Sequence, residues 1–120
     1  MAEVKRSSRV AERIREELAW MLTREVRDPG AAGTIVSRVE MTDDLKTARV
    51  YVRRLEGPTL EGKGAAETLA ALKRANPMLR RQVTTRVGLR FAPELRFFYD
   101  ERLDAVTRIE ELLEEVKREK

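Results

Sequence analysis

The 120 residues suit one domain, residues 1–120, with room for a real core but not for two. Charged side chains reach 38% and aromatic ones only 5%, so a mainly aliphatic core beneath a highly charged surface is expected. Cysteine and histidine are both absent, which excludes disulfides, thiolate metal sites and the commonest general base and metal ligand.

In chain order, the first predicted element is a helix from about Ser8 to Arg27, because Val10, Ile14, Leu18, Met21, Leu22 and Val26 form one apolar stripe. Asp28-Pro29-Gly30 supplies its stop and a turn. Trp20 lies off the stripe and reads as a residue at the rim of the core, with a stacking role as the minor alternative. Two strands follow. Thr34 to Thr42 places Ile35, Val39 and Met41 on one face and Val36, Arg38 and Glu40 on the other; Thr47 to Leu55 sets Ala48, Val50 and Val52 against Arg49, Tyr51 and Arg53. Asp43 and Asp44 between them read as turn formers and not as a catalytic pair, since Asp side chains bond nearby backbone amides.

Residues 56–64 read as a connector. Gly57 to Lys63 fits the spacing G-x-x-x-x-G-K of a phosphate loop, but Gly64 stands where a magnesium-binding Ser or Thr belongs and Pro58 removes an amide. A nucleotide-dependent enzyme is therefore the weaker reading, and neither catalytic residues nor a cofactor, metal or small-molecule substrate is expected. No apolar run approaches membrane-spanning length and the first residues lack the apolar core of a signal peptide, so the expectation is a cytoplasmic protein with no membrane partner.

From Thr68 to Pro93 the chain carries Lys73, Arg74, Arg80, Arg81, Arg86 and Arg90 and no carboxylate. Leu69 and Leu72, then Leu79, Val83 and Val87, recur every three or four residues, which predicts two helical stretches. Proline lacks the N–H of a helical hydrogen bond and Asn is a good cap, so Ala75-Asn76-Pro77 predicts a joint at which one helix ends and another begins. Gly88 is the expected end of the second. A bent helix pair with these cations is a candidate phosphate-facing element, and a solvated helix face is the competing reading. The net charge of +4 and the isoelectric point near 9.8 favour a polyanionic partner.

A third strand over residues 92–99 puts Leu95, Phe97 and Tyr99 on one face and Arg96 and Phe98 on the other; Asp100 then caps a C-terminal helix of about residues 103–118 with an acidic outer side, which offers a protein-binding surface as an alternative. The expected fold class is α+β, a three-stranded sheet with helices packed on one face. The face left open would hold Arg38, Arg49, Arg53, Arg96, Tyr51 and Phe98, either a basic, aromatic RNA surface or ordinary solvated sheet.

The blocks RVAERIREELAWMLTREVRDP, VEMTDDLKTARVYV, ALKRANPMLRRQV and PELRFFYDERLD, in this order and spacing, resemble bacterial ribosome-binding factor A over nearly the whole chain. The resemblance implies a KH-like single domain, α-β-β-α-kink-α-β plus a C-terminal helix. It also implies a non-enzymatic factor that binds the immature 30S subunit and assists processing of 16S rRNA, with the small subunit and its rRNA as partners and a monomer when free. The RNA-binding residues expected on these grounds are Lys73, Arg74, Asn76, Arg80, Arg81, Arg86 and Arg90. The family's kink reads Ala-x-Gly, where this chain has Ala75, Asn76 and Pro77. Proline can make a bend there, without the freedom of glycine.

Overall fold

The computed structural model describes residues 5–55, 63–100, 113 and 116. Helix α1 (Arg6–Arg24) opens the chain and buries Ala11, Ile14, Leu18, Met21 and Leu22. Complete burial of a Leu, Ile or Met side chain contributes about 1.5–3 kcal/mol, so this stripe is the main reason the helix holds its place. Val10 and Val26 of the expected stripe flank the core as partly buried residues. The helix ends at Arg24, three residues earlier than expected, with the Glu25 and Val26 N–H groups both donating to Met21 O. A 3-10 turn, Pro29–Ala31, follows, capped by Asp28, whose carboxylate accepts from Gly30 N at 3.0 Å. Gly30 makes a close approach: a Cβ there would meet Ala71 Cβ at 3.0 Å and Glu67 O at 3.2 Å, so its neighbours would have to give by a few tenths of an ångström.

Strands β1 (Thr34–Met41) and β2 (Thr47–Arg54) pair antiparallel, and β3 (Glu94–Tyr99) adds to β2 in parallel, giving a mixed sheet in the order β1-β2-β3. As expected, Ala48, Val50 and Val52 are fully buried and Leu95 nearly so. Strand β1 departs from the simple alternation. Val36 pairs with Val52 and Arg38 with Tyr51, leaving Ser37 as an extra, bulged residue. The bulge changes the phase of the strand. Val36, not Ile35, joins Val39 and Met41 on the core side, while Ile35 stands opposite Arg53. The Ser37 hydroxyl lies 3.0 Å from both Tyr51 O and Asp100 Oδ2, so the bulge has side-chain support.

In the hairpin loop Asp44 is the turn former, accepting from Thr42 Oγ1 at 2.7 Å and Lys46 N at 3.0 Å, with Leu45 at a positive φ of 60°. Asp43 does something else. It accepts from Ser7 Oγ at 3.1 Å and so ties the loop to the start of α1.

The segment expected to form two helices is one helix, α2 (Lys63–Val87), with Pro77 inside it. Asn76 is therefore not the cap of a second helix. Its side chain instead donates to Leu95 O in β3 at 3.0 Å, and Leu72, Leu79 and Val83, all fully buried, hold the helix against the sheet on both sides of Pro77. That packing outweighs the one helical hydrogen bond proline cannot make. Gly88 ends α2 as expected, at φ 78°, with Leu89 N donating to Thr84 O at 2.9 Å. Of the C-terminal helix expected at about 103–118, only residues 113 and 116 fall among the described residues, both helical; the connector 56–62 also lies outside them. Asp100, expected as its cap, is buried and engaged by Ser37 and by Arg38, whose Nε is 3.7 Å away.

Candidate nucleic-acid interface

Because Leu72, Leu79 and Val83 face the core, residues 73, 77, 80, 81 and 84 share the opposite strip of α2. Lys73, Arg80 and Arg81 are exposed there, beside Pro77. The six expected cations divide by partner. Arg74 grips Asp28 through Nε at 2.8 Å and Nη2 at 3.1 Å. Arg86, only 27% exposed, reaches both carboxylate oxygens of Glu25 at 2.7 Å and lies 4.0 Å from Glu17. These two are neutralised contacts that fasten α2 to α1 and to the turn after it. The Arg74 guanidinium, and after it the Gly30 N–H, hold the Asp28 carboxyl below the usual carboxylate range.

Arg80 is bonded but not neutralised. Its Nε donates to Pro93 O at 2.9 Å and its Nη2 to Ala92 O at 3.0 Å, which clamps the chain entering β3, and no carboxylate among the described residues pairs with the charge. Lys73 and Arg81 have no ion-pair or hydrogen-bond partner among the described residues. Arg90, past the helix end, lies 5.5 Å from the centre of the exposed Phe91 ring. Four positive charges, Lys73, Arg80, Arg81 and Arg90, thus have no carboxylate partner among the described residues, along one side of α2 and its exit. Asn76 and Ala75 are partly buried, and Asn76 spends its amide on β3.

The open face of the sheet has a different composition. Across it run Arg38, Tyr51 and Phe98 in register, with the Arg38 guanidinium 3.9 Å from the Tyr51 ring centre and the two rings stacked at 5.4 Å and 27°. In the next row Glu40, Arg49 and Arg96 stand side by side. Glu40 pairs with Arg38 at 2.6 Å and approaches Arg49 at 3.8 Å, and Glu94 pairs with Arg96 at 3.1 Å. A further contact escaped the reading of the sequence: Trp20 is half exposed and carries the Arg24 guanidinium 3.5 Å above its ring. The spacing of four residues on one helix was the available signal.

Among the described residues no helix is long and apolar enough to cross a membrane. A family model described as Ribosome-binding factor A matches residues 6–113. The ribosome-binding factor A of Sorangium cellulosum is 53% identical over 114 residues, spanning 95% of this chain and 90% of the relative. That of Chromohalobacter salexigens is 39% identical over 119 residues, spanning 96% and 86%. The crystal structure of ribosome-binding factor A from Thermus thermophilus matches with a TM-score of 0.63 at 26% identity, over 78% of this chain and 94% of that one. A Thermus thermophilus homology model fitted into the cryo-EM map of a 30S complex of that factor matches with a TM-score of 0.59 at 26% identity, over 77% and 92%.

Proposed function

Because this chain belongs to the ribosome-binding factor A family, we propose that it binds the immature 30S subunit, assists maturation of 16S rRNA and performs no covalent chemistry of its own. The observation that carries the reading is the run of uncompensated cations along α2, Lys73, Arg80 and Arg81, continued by Arg90 beyond the helix. Phosphates are singly charged and closely spaced, so a row of cations free of carboxylates gains from each one it meets and from the counterions released. Lys73, Arg81 and Arg90 make the direct phosphate contacts in this reading. Arg80 adds its charge while holding the entry to β3, whereas Arg74, Arg86 and Asn76, also expected as contacts, position the helix. The Thermus thermophilus relative fitted into a 30S complex supports the choice of partner.

The test is sedimentation of cell extract containing the chain. It should travel with free 30S subunits and leave them as salt is raised, and a strain lacking it should accumulate unprocessed 16S rRNA. Equal partition onto full ribosomes, or no sedimentation with either, would remove the proposal.

A further inference from the structure

We propose that the open face of the sheet is a second RNA contact, which takes one unstacked base against the outer face of the Phe98 ring. The inference rests on the reading that the chain binds ribosomal RNA, but it concerns a different surface and a different interaction. Arg38, Tyr51 and Phe98 are consecutive layers of one stack running across the three strands, from β1 through β2 to β3. The sheet order makes β3 an edge strand, so Phe98 is the last layer among the described residues. Phe98 is 40% exposed, where burial would be the ordinary fate of so large an apolar residue. Tyr51 lies underneath and fixes the ring plane, so the orientation needed for stacking is already set before a ligand arrives.

The occupant is chosen by charge. An apolar protein side chain would cover Phe98 equally well but would gain nothing from the surrounding guanidinium groups. Arg49 and Arg96 are direct cross-strand neighbours in the row beside the stack. Like charges so placed repel, and Glu40 at 3.8 Å and Glu94 at 3.1 Å relieve this only from the sides. On the other side of the stack Arg53 is opposite Ile35 and has no carboxylate partner among the described residues. A nucleotide fits this surface, its base continuing the stack and its phosphate meeting Arg53, the cation of the three without a carboxylate partner among the described residues. Every base has a π face, so the contact selects unpaired over paired RNA and is tolerant of sequence. A duplex keeps its bases inside and cannot use it.

The experiment compares binding of a short single-stranded oligouridylate and of an RNA duplex of equal phosphate number to the full chain, to Phe98→Leu and to Lys73→Ala/Arg81→Ala. Leu keeps apolar bulk at the edge position, and unfolding midpoints confirm the fold of each variant. Phe98→Leu should lower affinity for the oligouridylate roughly tenfold, leave duplex binding unchanged and leave the salt slope intact. The α2 variant should lower both affinities and the slope. Oligouridylate affinity unaltered by Phe98→Leu would overturn the inference and leave the stack to a protein partner, while the α2 result would still judge the proposed function separately. Loss of duplex and single-strand binding together in Phe98→Leu would also overturn it, since stacking on one base cannot account for that.

Discussion

The exposed strip of α2 and the open face of the sheet are both rich in arginine, yet they dispose of their charge in opposite ways. On the sheet Arg38, Arg49 and Arg96 each have a carboxylate at hand, and the distinctive element is the aromatic stack. On α2 Arg74 and Arg86 reach carboxylates of other elements, and Lys73, Arg80 and Arg81 have none among the described residues. The number of cations therefore says little about where a phosphate will bind. What decides is whether a carboxylate from another element stands within reach, because it offers the same guanidinium a partner without the cost of association.

The largest effect expected from breaking this arrangement is at the core beneath both surfaces. Leu79 is fully buried and precedes Arg80. Leu79→Ala should lower stability in urea by about 2–5 kcal/mol, while the molecules that remain folded keep the wild-type salt slope of RNA binding. A cost below about 1 kcal/mol would show that α2 is not held on the sheet as described. A smaller loss, about 1 kcal/mol, is expected for Asn76→Ala, which strands the Leu95 carbonyl without its donor. If Asn76→Ala reduced the salt slope with stability unchanged, Asn76 would be a contact and not a support.

The smallest effect concerns the neutralised cations. The Arg74 bond holds the Asp28 carboxyl below the usual range, so the pair supports the folded chain above the ordinary Asp value and loses that support as pH falls through the lower folded value. An NMR titration should place the Asp28 midpoint below the ordinary Asp value, and Arg74→Ala should move it up. An unmoved midpoint would mean that the pair does not persist in solution and that Arg74 belongs with the free cations.

The division between these cations could not be read from the sequence, and the reason is distance along the chain. Asp28 is 46 residues from Arg74 and Glu25 is 61 from Arg86, so no local spacing signals either pair. Local signals did well where the physics is local. The stripe of α1 from Val10 to Leu22, the turn at Asp28-Pro29-Gly30, the alternation of β2 and the glycine after α2 appear where expected, although α1 itself ends three residues early, at Arg24. They failed at two places where tertiary packing wins. Pro77 was expected to mark a break, but buried Leu72 and Leu79 on either side carry the helix through it. In β1 the one-residue bulge at Ser37 reversed the faces of Ile35 and Val36, because Asp100, from beyond β3, helps to hold that residue out of register.

The central claim, that RNA phosphates are met by the uncompensated cations of α2, is tested most directly by the salt dependence of 30S binding in two variants. Lys73→Ala/Arg81→Ala removes two outward cations, and the logarithmic slope of affinity against salt should fall by about 2 with all RNA sequences weakened alike. Arg13→Ala, on the exposed side of α1 among Glu16 and Glu17, should leave slope and affinity as they were. Equal losses in both variants, or a wild-type affinity indifferent to salt, would contradict the account and make the α2 strip a solvated helix face.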